Sequence, residues 1–153
     1  MNVDNYNTFS DAQALTETTV STNLVDLSAA RAIGEGNPLA VMITVDVAAD
    51  AGNNNETYQF TVQTDDNSSF SSPMNLTTIL YGALPSIPRA HLAAGSVIVL
   101  PLPVLSETTG ERYVRVSYTL GGTTPSVTVT AELQPMNMVQ AYRSYAKGFT
   151  ISG

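Results

Sequence analysis

Residues 111–133 read ERYVRVSYTL-GGTTPS-VTVTAEL, and this stretch decides the fold. In its first arm Val114, Val116, Tyr118 and Leu120 alternate with Tyr113, Arg115, Ser117 and Thr119. A period of two gathers the apolar residues on one face of a strand, so the arm is extended and buried on one side. The second arm repeats the pattern, with Val127, Val129, Ala131 and Leu133 set against Ser126, Thr128, Thr130 and Glu132. Gly121, Gly122 and Pro125 break the two arms, and the stretch predicts an antiparallel hairpin. A lone hairpin is marginal in water, so its apolar face needs a second sheet to pack on. The implied architecture is a β-sandwich.

The remaining chain supplies strands of the same kind. In LAVMITVDVAAD, Leu39, Val41, Ile43, Val45 and Val47 share one face while Ala40, Met42, Thr44 and Asp46 share the other. The turn-rich DAGNNN of residues 50–55 leads to ETYQFTVQT, where Tyr58, Phe60 and Val62 alternate with Thr57, Gln59, Thr61 and Gln63, so residues 39–64 predict a second hairpin. Residues 16–27, rich in Thr and Val, read as one strand or two short ones. Residues 31–38 carry Gly34, Gly36 and Pro38 and must be a loop. Residues 65–73 form another loop, from which Phe70 is expected to plug the core. A short strand covers residues 74–83, and Pro85 and Pro88 then hold the chain extended. In VIVLPL, residues 97–102, Pro101 must sit at a sheet edge or strand end. Residues 1–9 are mostly polar, with Tyr6 and Phe9 as their aromatic groups, and predict a surface arm, while residues 11–15 form a single helical turn or begin a strand. About seven to eight strands separated by turns are the signal of a sandwich or jelly roll.

The resulting organisation is one all-β domain, an antiparallel β-sandwich of jelly-roll type, with an N-terminal arm at residues 1–10, the sandwich at 11–135 and a C-terminal tail at 136–153. With 153 residues, the chain can bury roughly 70% of its unfolded surface without covalent staples. It has no Cys, which excludes thiolate metal sites, a catalytic Cys and disulfides, and fits folding in a reducing compartment. The start, Met1 to Asn5, has neither a basic nor an apolar run and predicts no signal peptide. The longest apolar run, residues 97–105, is broken by two prolines and is too short to cross a bilayer. A net charge of −7 disfavours phosphate backbones and anionic membranes, so neither nucleic acid nor membrane is an expected partner. Charged residues make up only 12% of the chain, against roughly 25% in an average domain, leaving a surface of hydroxyls and amides.

With the strands placed, FSDAQALTETTVSTNLVDL near the start, GEGNPLAVMITVDVA, TYQFTVQTDDNSSFSSP, VIVLPLP and RYVRVSYTLGG together resemble the small capsid cement proteins of tailed bacteriophages, of the Bordetella-phage type. The resemblance runs from Phe9 to about Leu133. It implies a jelly roll on the exterior of an icosahedral head with a major capsid protein of the HK97 type, clamping neighbouring capsomers. It also implies synthesis in the host bacterial cytoplasm and no catalytic residues. Repetition on an icosahedral shell further favours self-association as a dimer or trimer.

Residues that carry chemistry elsewhere are sparse here. His91 is the only histidine, so a catalytic triad or a multi-histidine metal site would have to rest on it alone, and PRAHLAAG reads as a loop instead. Asp65, Asp66 and Asn67, with Asp46 and Asp50 elsewhere, offer oxygen ligands to calcium, but their spacing departs from an EF-hand loop and fits turn formers better. No catalytic, cofactor or metal site is expected. Arg31, Arg89, Arg112 and Arg115 read as surface or intramolecular ion-pair residues, with Arg115 the one to test at an interface. In the tail, Tyr142, Tyr145 and Phe149 interleave with Arg143 and Lys147, a composition that protein interfaces favour. Two readings fit it: docking on the shell or a sister subunit, and closure over its own sandwich. The rival function is a carbohydrate-binding β-sandwich using Tyr113, Tyr142 or Tyr145.

Overall fold

The alternating segments do form strands that pack in two layers. The structure is a computed structural model and describes residues 7–27, 38–50, 52–82, 87–103 and 112–136. Its strands are β1 (Thr8–Leu15), β2 (Thr19–Val20), β3 (Val25–Asp26), β4 (Leu39–Val47), β5 (Thr57–Asp65), β6 (Met74–Gly82), β7 (Ile87–Pro88), β8 (Val97–Pro101), β9 (Tyr113–Gly121) and β10 (Val127–Pro135), with a 3-10 turn at Arg89–His91. One sheet has the order β1-β10-β4-β8. The facing sheet runs β2-β9-β5-β6-β7, with β3 also paired to β9. Strands from the two halves of the chain interleave in both sheets, which is the jelly-roll arrangement. All pairings are antiparallel apart from β6 with β7.

The apolar rows named from the sequence meet between the sheets, except for Val47 at the end of β4, which is exposed. Val114, Val116 and Tyr118 of β9 and Val127, Val129 and Ala131 of β10 are buried in one cluster with Val41, Ile43, Val45, Tyr58, Phe60 and Val62. Fully burying a side chain of this size contributes roughly 1.5–3 kcal/mol. Phe60 stands edge-on to Tyr118 and Tyr81, at centroid distances of 5.8 Å and 6.0 Å. Inside this core the Tyr118 hydroxyl shares a 2.7 Å hydrogen bond with Ser10 Oγ. That bond ties the two sheets together, since Ser10 lies on β1 and Tyr118 on β9.

Neither predicted hairpin forms. β9 and β10 lie in different sheets, and so do β4 and β5. Alternation states which side chains share a face, but it does not state whether two apolar rows lie side by side or look at each other across the core. Here they look across. Both crossings are locked together at one end of the sandwich by the Tyr58 hydroxyl, which donates to the Asp50 carbonyl at 2.8 Å and accepts the Ser126 N–H at 3.1 Å. The Asp50 N–H donates to the Ser126 carbonyl, and Asn55 exchanges hydrogen bonds with Thr123 through its side-chain amide. Gly122 completes the joint with φ of +92°.

Of the expected N-terminal arm, residues 1–6 lie outside the described residues, and the part that is described enters a strand. β1 begins at Thr8 and Phe9 is fully buried. Register shifts between Thr8 and Ser10 and between Ser10 and Gln13 break the period of two, and Ala12 has φ of +45°. A bulged strand hides its own alternation; of the two readings of residues 11–15 the strand holds and the helical turn does not. Residues 16–27 supply the two short strands β2 and β3, and Pro101 closes β8 at the edge of its sheet.

Candidate interface on the six-stranded sheet

Since Val114, Val116 and Tyr118 point inward, their neighbours Tyr113, Arg115, Ser117 and Thr119 point out of the sandwich. Cross-strand register extends these positions into rows. Arg115 lies opposite Gln63, and Gln63 opposite Asn75. Ser117 lies opposite Thr61, Thr61 opposite Thr78, and Val20 continues that row on β2. Thr119, Gln59 and Leu80 form a third row. Within these three rows Arg115 is the one charged side chain.

The rows are hydrogen-bonded along their length. Arg115 Nε donates to Gln63 Oε1 at 2.9 Å, and Gln63 Nε2 donates to Asn75 Oδ1 at 2.9 Å. Thr61 and Thr78 share a bond of 3.0 Å between their hydroxyls. The Arg115 guanidinium also stacks 4.1 Å from the centroid of the Phe70 ring. Phe70, at φ of +51°, is buried but stands outside the inter-sheet cluster. The ring is buried, as expected, but the loop sets it against Arg115 and not within the inter-sheet cluster. Burial lowers the Arg115 pKa from its ordinary value, partly offset by nearby Asp65. A guanidinium that is partly desolvated, stacked and bonded loses little further freedom on binding.

The loop that carries Phe70 is held by Asp65. Its Oδ1 accepts the N–H of Asn67 and its Oδ2 the N–H of Ser72, at 2.9 and 2.8 Å. Burial works to raise the Asp65 pKa, but the hydrogen bonds from Asn67, Ser72 and Asp66 outweigh it and hold it below the ordinary value. Asp66 is raised, first by its hydrogen bond to Asp65 and then by burial and the neighbouring charge. With both Asp65 oxygens taken by backbone donors, the pair acts as a loop staple. Among the described residues no group of three His, Cys, Asp or Glu is placed to hold a metal ion.

The other singled-out residues are dispersed. Arg112 forms a two-point pair with Asp26 at 2.7 and 2.8 Å and covers one face of the Tyr113 ring at 5.0 Å, which occupies a face that a sugar would stack on. Arg89 takes the intramolecular ion-pair reading: it pairs with the fully buried Glu56, whose Oε1 also accepts the Asn53 N–H at 3.1 Å. His91 is exposed at the end of the 3-10 turn. Asp46 accepts the Thr130 hydroxyl, and Asp50 caps the turn at Gly52. Arg31, Tyr142, Arg143, Tyr145, Lys147 and Phe149 lie outside the described residues.

Gln63, Asn75 and Phe70 are the partners of Arg115 that sequence reasoning missed. The outward alternation of Gln63 was visible, but the predicted hairpin gave β9 the wrong neighbour and so hid the Arg115–Gln63 pairing.

Among the described residues no helix is long and apolar enough to cross a membrane. No curated protein matches the chain. The family model of Bbp16 matches residues 9–133, from the first long strand into the last, and with most of its length covered the chain belongs to the Bbp16 family, a bacteriophage protein family of the Bordetella-phage type.

Proposed function

We propose that this chain is a structural virion protein that binds the exterior of a phage head built from an HK97-type major capsid protein, bridges neighbouring capsomers and performs no reaction. The docking surface in this reading is the outer face of the six-stranded sheet, and the observation that carries it is the Arg115–Gln63–Asn75 row stacked on Phe70. Interface centres are depleted in charge and favour arginine and aromatic residues, and this face combines amide and hydroxyl rows with a single ordered arginine. β9, β5 and β6 are each nine residues long. With β2 and β3 filling a fourth position, strands about 4.8 Å apart and about 3.4 Å per residue make a plate of roughly 600 Å². Side-chain relief brings this near the roughly 800 Å² per partner of a specific site. Contact with two capsomers raises the effective concentration of the second contact, so each contact can be weak. Copies beside a symmetry axis also meet one another, which makes a dimer or trimer part of the reading.

Sedimentation with heads that lack the protein tests this. Saturable binding at an integer number of copies per capsomer is expected, and Arg115→Glu should weaken it roughly 30-fold or more, as for an interface hot spot. Equal binding by the variant overturns the assigned face. Failure of the unaltered protein to bind heads overturns the function, and glycan binding in its place would favour the carbohydrate-binding alternative.

A further inference from the structure

The four-stranded sheet has an outer face of a different kind. On β4 the inward residues are Val41, Ile43 and Val45, so Ala40 and Met42 point away from the core, as do Glu132 and Gln134 on β10. Outward positions on a sandwich are normally wet. These are not: Ala40 is 0% exposed, Met42 6%, Glu132 5% and Gln134 6%. Ala40 and Met42 form an apolar cluster separate from the main core, and the partly buried residues packed on it are Val99 and Met136. Val99 is the neighbour of Met42 on β8 and Met136 directly follows β10, so both flank the patch along the sheet. Glu132 sits in this dry patch with its carboxylate accepting a hydrogen bond from Gln134 Nε2 at 3.2 Å, and among the described residues no cation pairs with it. A carboxylate withdrawn from water calls for a positive partner.

We propose that the outer face of the four-stranded sheet is the docking site of this chain's own residues 137–153, with Arg143 or Lys147 set against Glu132 and the tail aromatics over Ala40 and Met42. Where the chain leaves the sheet supports this. Met136 packs on the patch itself, and its N–H donates to the Pro38 carbonyl at 2.8 Å. Glu132 lies four residues back along β10, about 13 Å away. Arg143 follows Met136 by seven residues, a reach of up to about 23 Å, so a tail that turns back covers the distance. Charge selects among the chain segments outside the described residues. Residues 137–153 contain two bases and no acid, residues 28–37 balance Arg31 with Glu35, residues 104–111 carry Glu107 and Glu111, and residues 1–6 carry Asp4. Only the tail brings net positive charge to Glu132. The inference stands apart from the shell reading and assigns Tyr142, Tyr145 and Phe149 to an intramolecular contact.

Hydrogen exchange on the full-length free protein, without heads, tests it. Amides of residues 137–153 should exchange well below the rate of an unstructured peptide, independently of protein concentration. Glu132→Lys should accelerate them roughly tenfold, the scale of one lost ion pair, while β5 and β9 stay protected. Combining it with Arg143→Glu and Lys147→Glu should restore the protection. If Glu132→Lys unfolds the sandwich, Arg143→Glu with Lys147→Glu alone leaves every described residue intact and should accelerate the tail by a similar factor. Peptide-like exchange in the free protein, protection that grows with concentration, or indifference to the tail charges each overturns the proposal. The second of these would identify a second copy as the occupant.

Discussion

Adjacent carboxylates at Asp65 and Asp66 have opposite effects on stability. The folded-state pKa of Asp65 is lowered because its two oxygens accept backbone N–H groups at the mouth of the Phe70 loop. Its stabilising contribution is present above the unfolded carboxylate value, about 3.9, and is lost as pH falls through the lower folded value. Asp66 is raised, so its contribution is present at low pH and is lost as pH rises through that raised value. Asp65→Asn should therefore destabilise the protein at pH 7 and flatten its acid transition, whereas Asp66→Asn should stabilise it slightly at pH 7. Urea titrations between pH 2 and 7 check both, and equal shifts for the two variants would contradict the staple. The turn-forming role of these residues was legible in the chain, because neighbouring Asp and Asn at a strand end make such turns. Their effect on Phe70 was not, since nothing local says whether a loop aromatic enters the core or lies outside it under an arginine.

At the level of strands, alternation identified the rows that fill the core, and β4, β5, β9 and β10 fall where it placed them. Pairing was not legible. A connection of a few residues serves a hairpin or a crossing equally well by length, and the choice depends on contacts between segments distant in sequence, such as Asn55 with Thr123. Gly122 marks the crossing: at its φ of +92° an added Cβ would lie 2.5 Å from the Asn55 carbonyl oxygen. Gly95 also has positive φ, +86°, but an added Cβ there meets nothing within 4 Å. Gly122→Ala should thus cost roughly 2–4 kcal/mol, backbone strain plus displacement of the β4–β5 connection, while Gly95→Ala should cost only about 1 kcal/mol of strain. Thermal melts of the two variants check the order. Matching losses would mean that the two connections do not press on each other.

As a whole, the molecule presents two unlike exteriors on one rigid core. One carries hydroxyl and amide rows around Arg115; the other is already dry around Ala40, Met42 and Glu132. Only the first is left to grip a neighbour if the tail occupies the second. Composition announced the hydroxyl-rich skin, but the division between the faces needed the register of β4 and β10, because Ala40 and Met42 looked like ordinary solvent-side positions. Bridging has a consequence that simple coating lacks. In the proposed role, a copy joined to two capsomers must release one of them before the shell opens, so bound protein would stabilise the closed head by mass action at every occupied joint. The rupture temperature of heads should accordingly climb with occupancy and level off at saturation, as read by calorimetry on heads loaded stepwise. Heads mixed with Arg115→Glu at the same concentration should rupture near the temperature of bare heads. Saturated heads that rupture no later than bare ones would show a protein that binds without bridging.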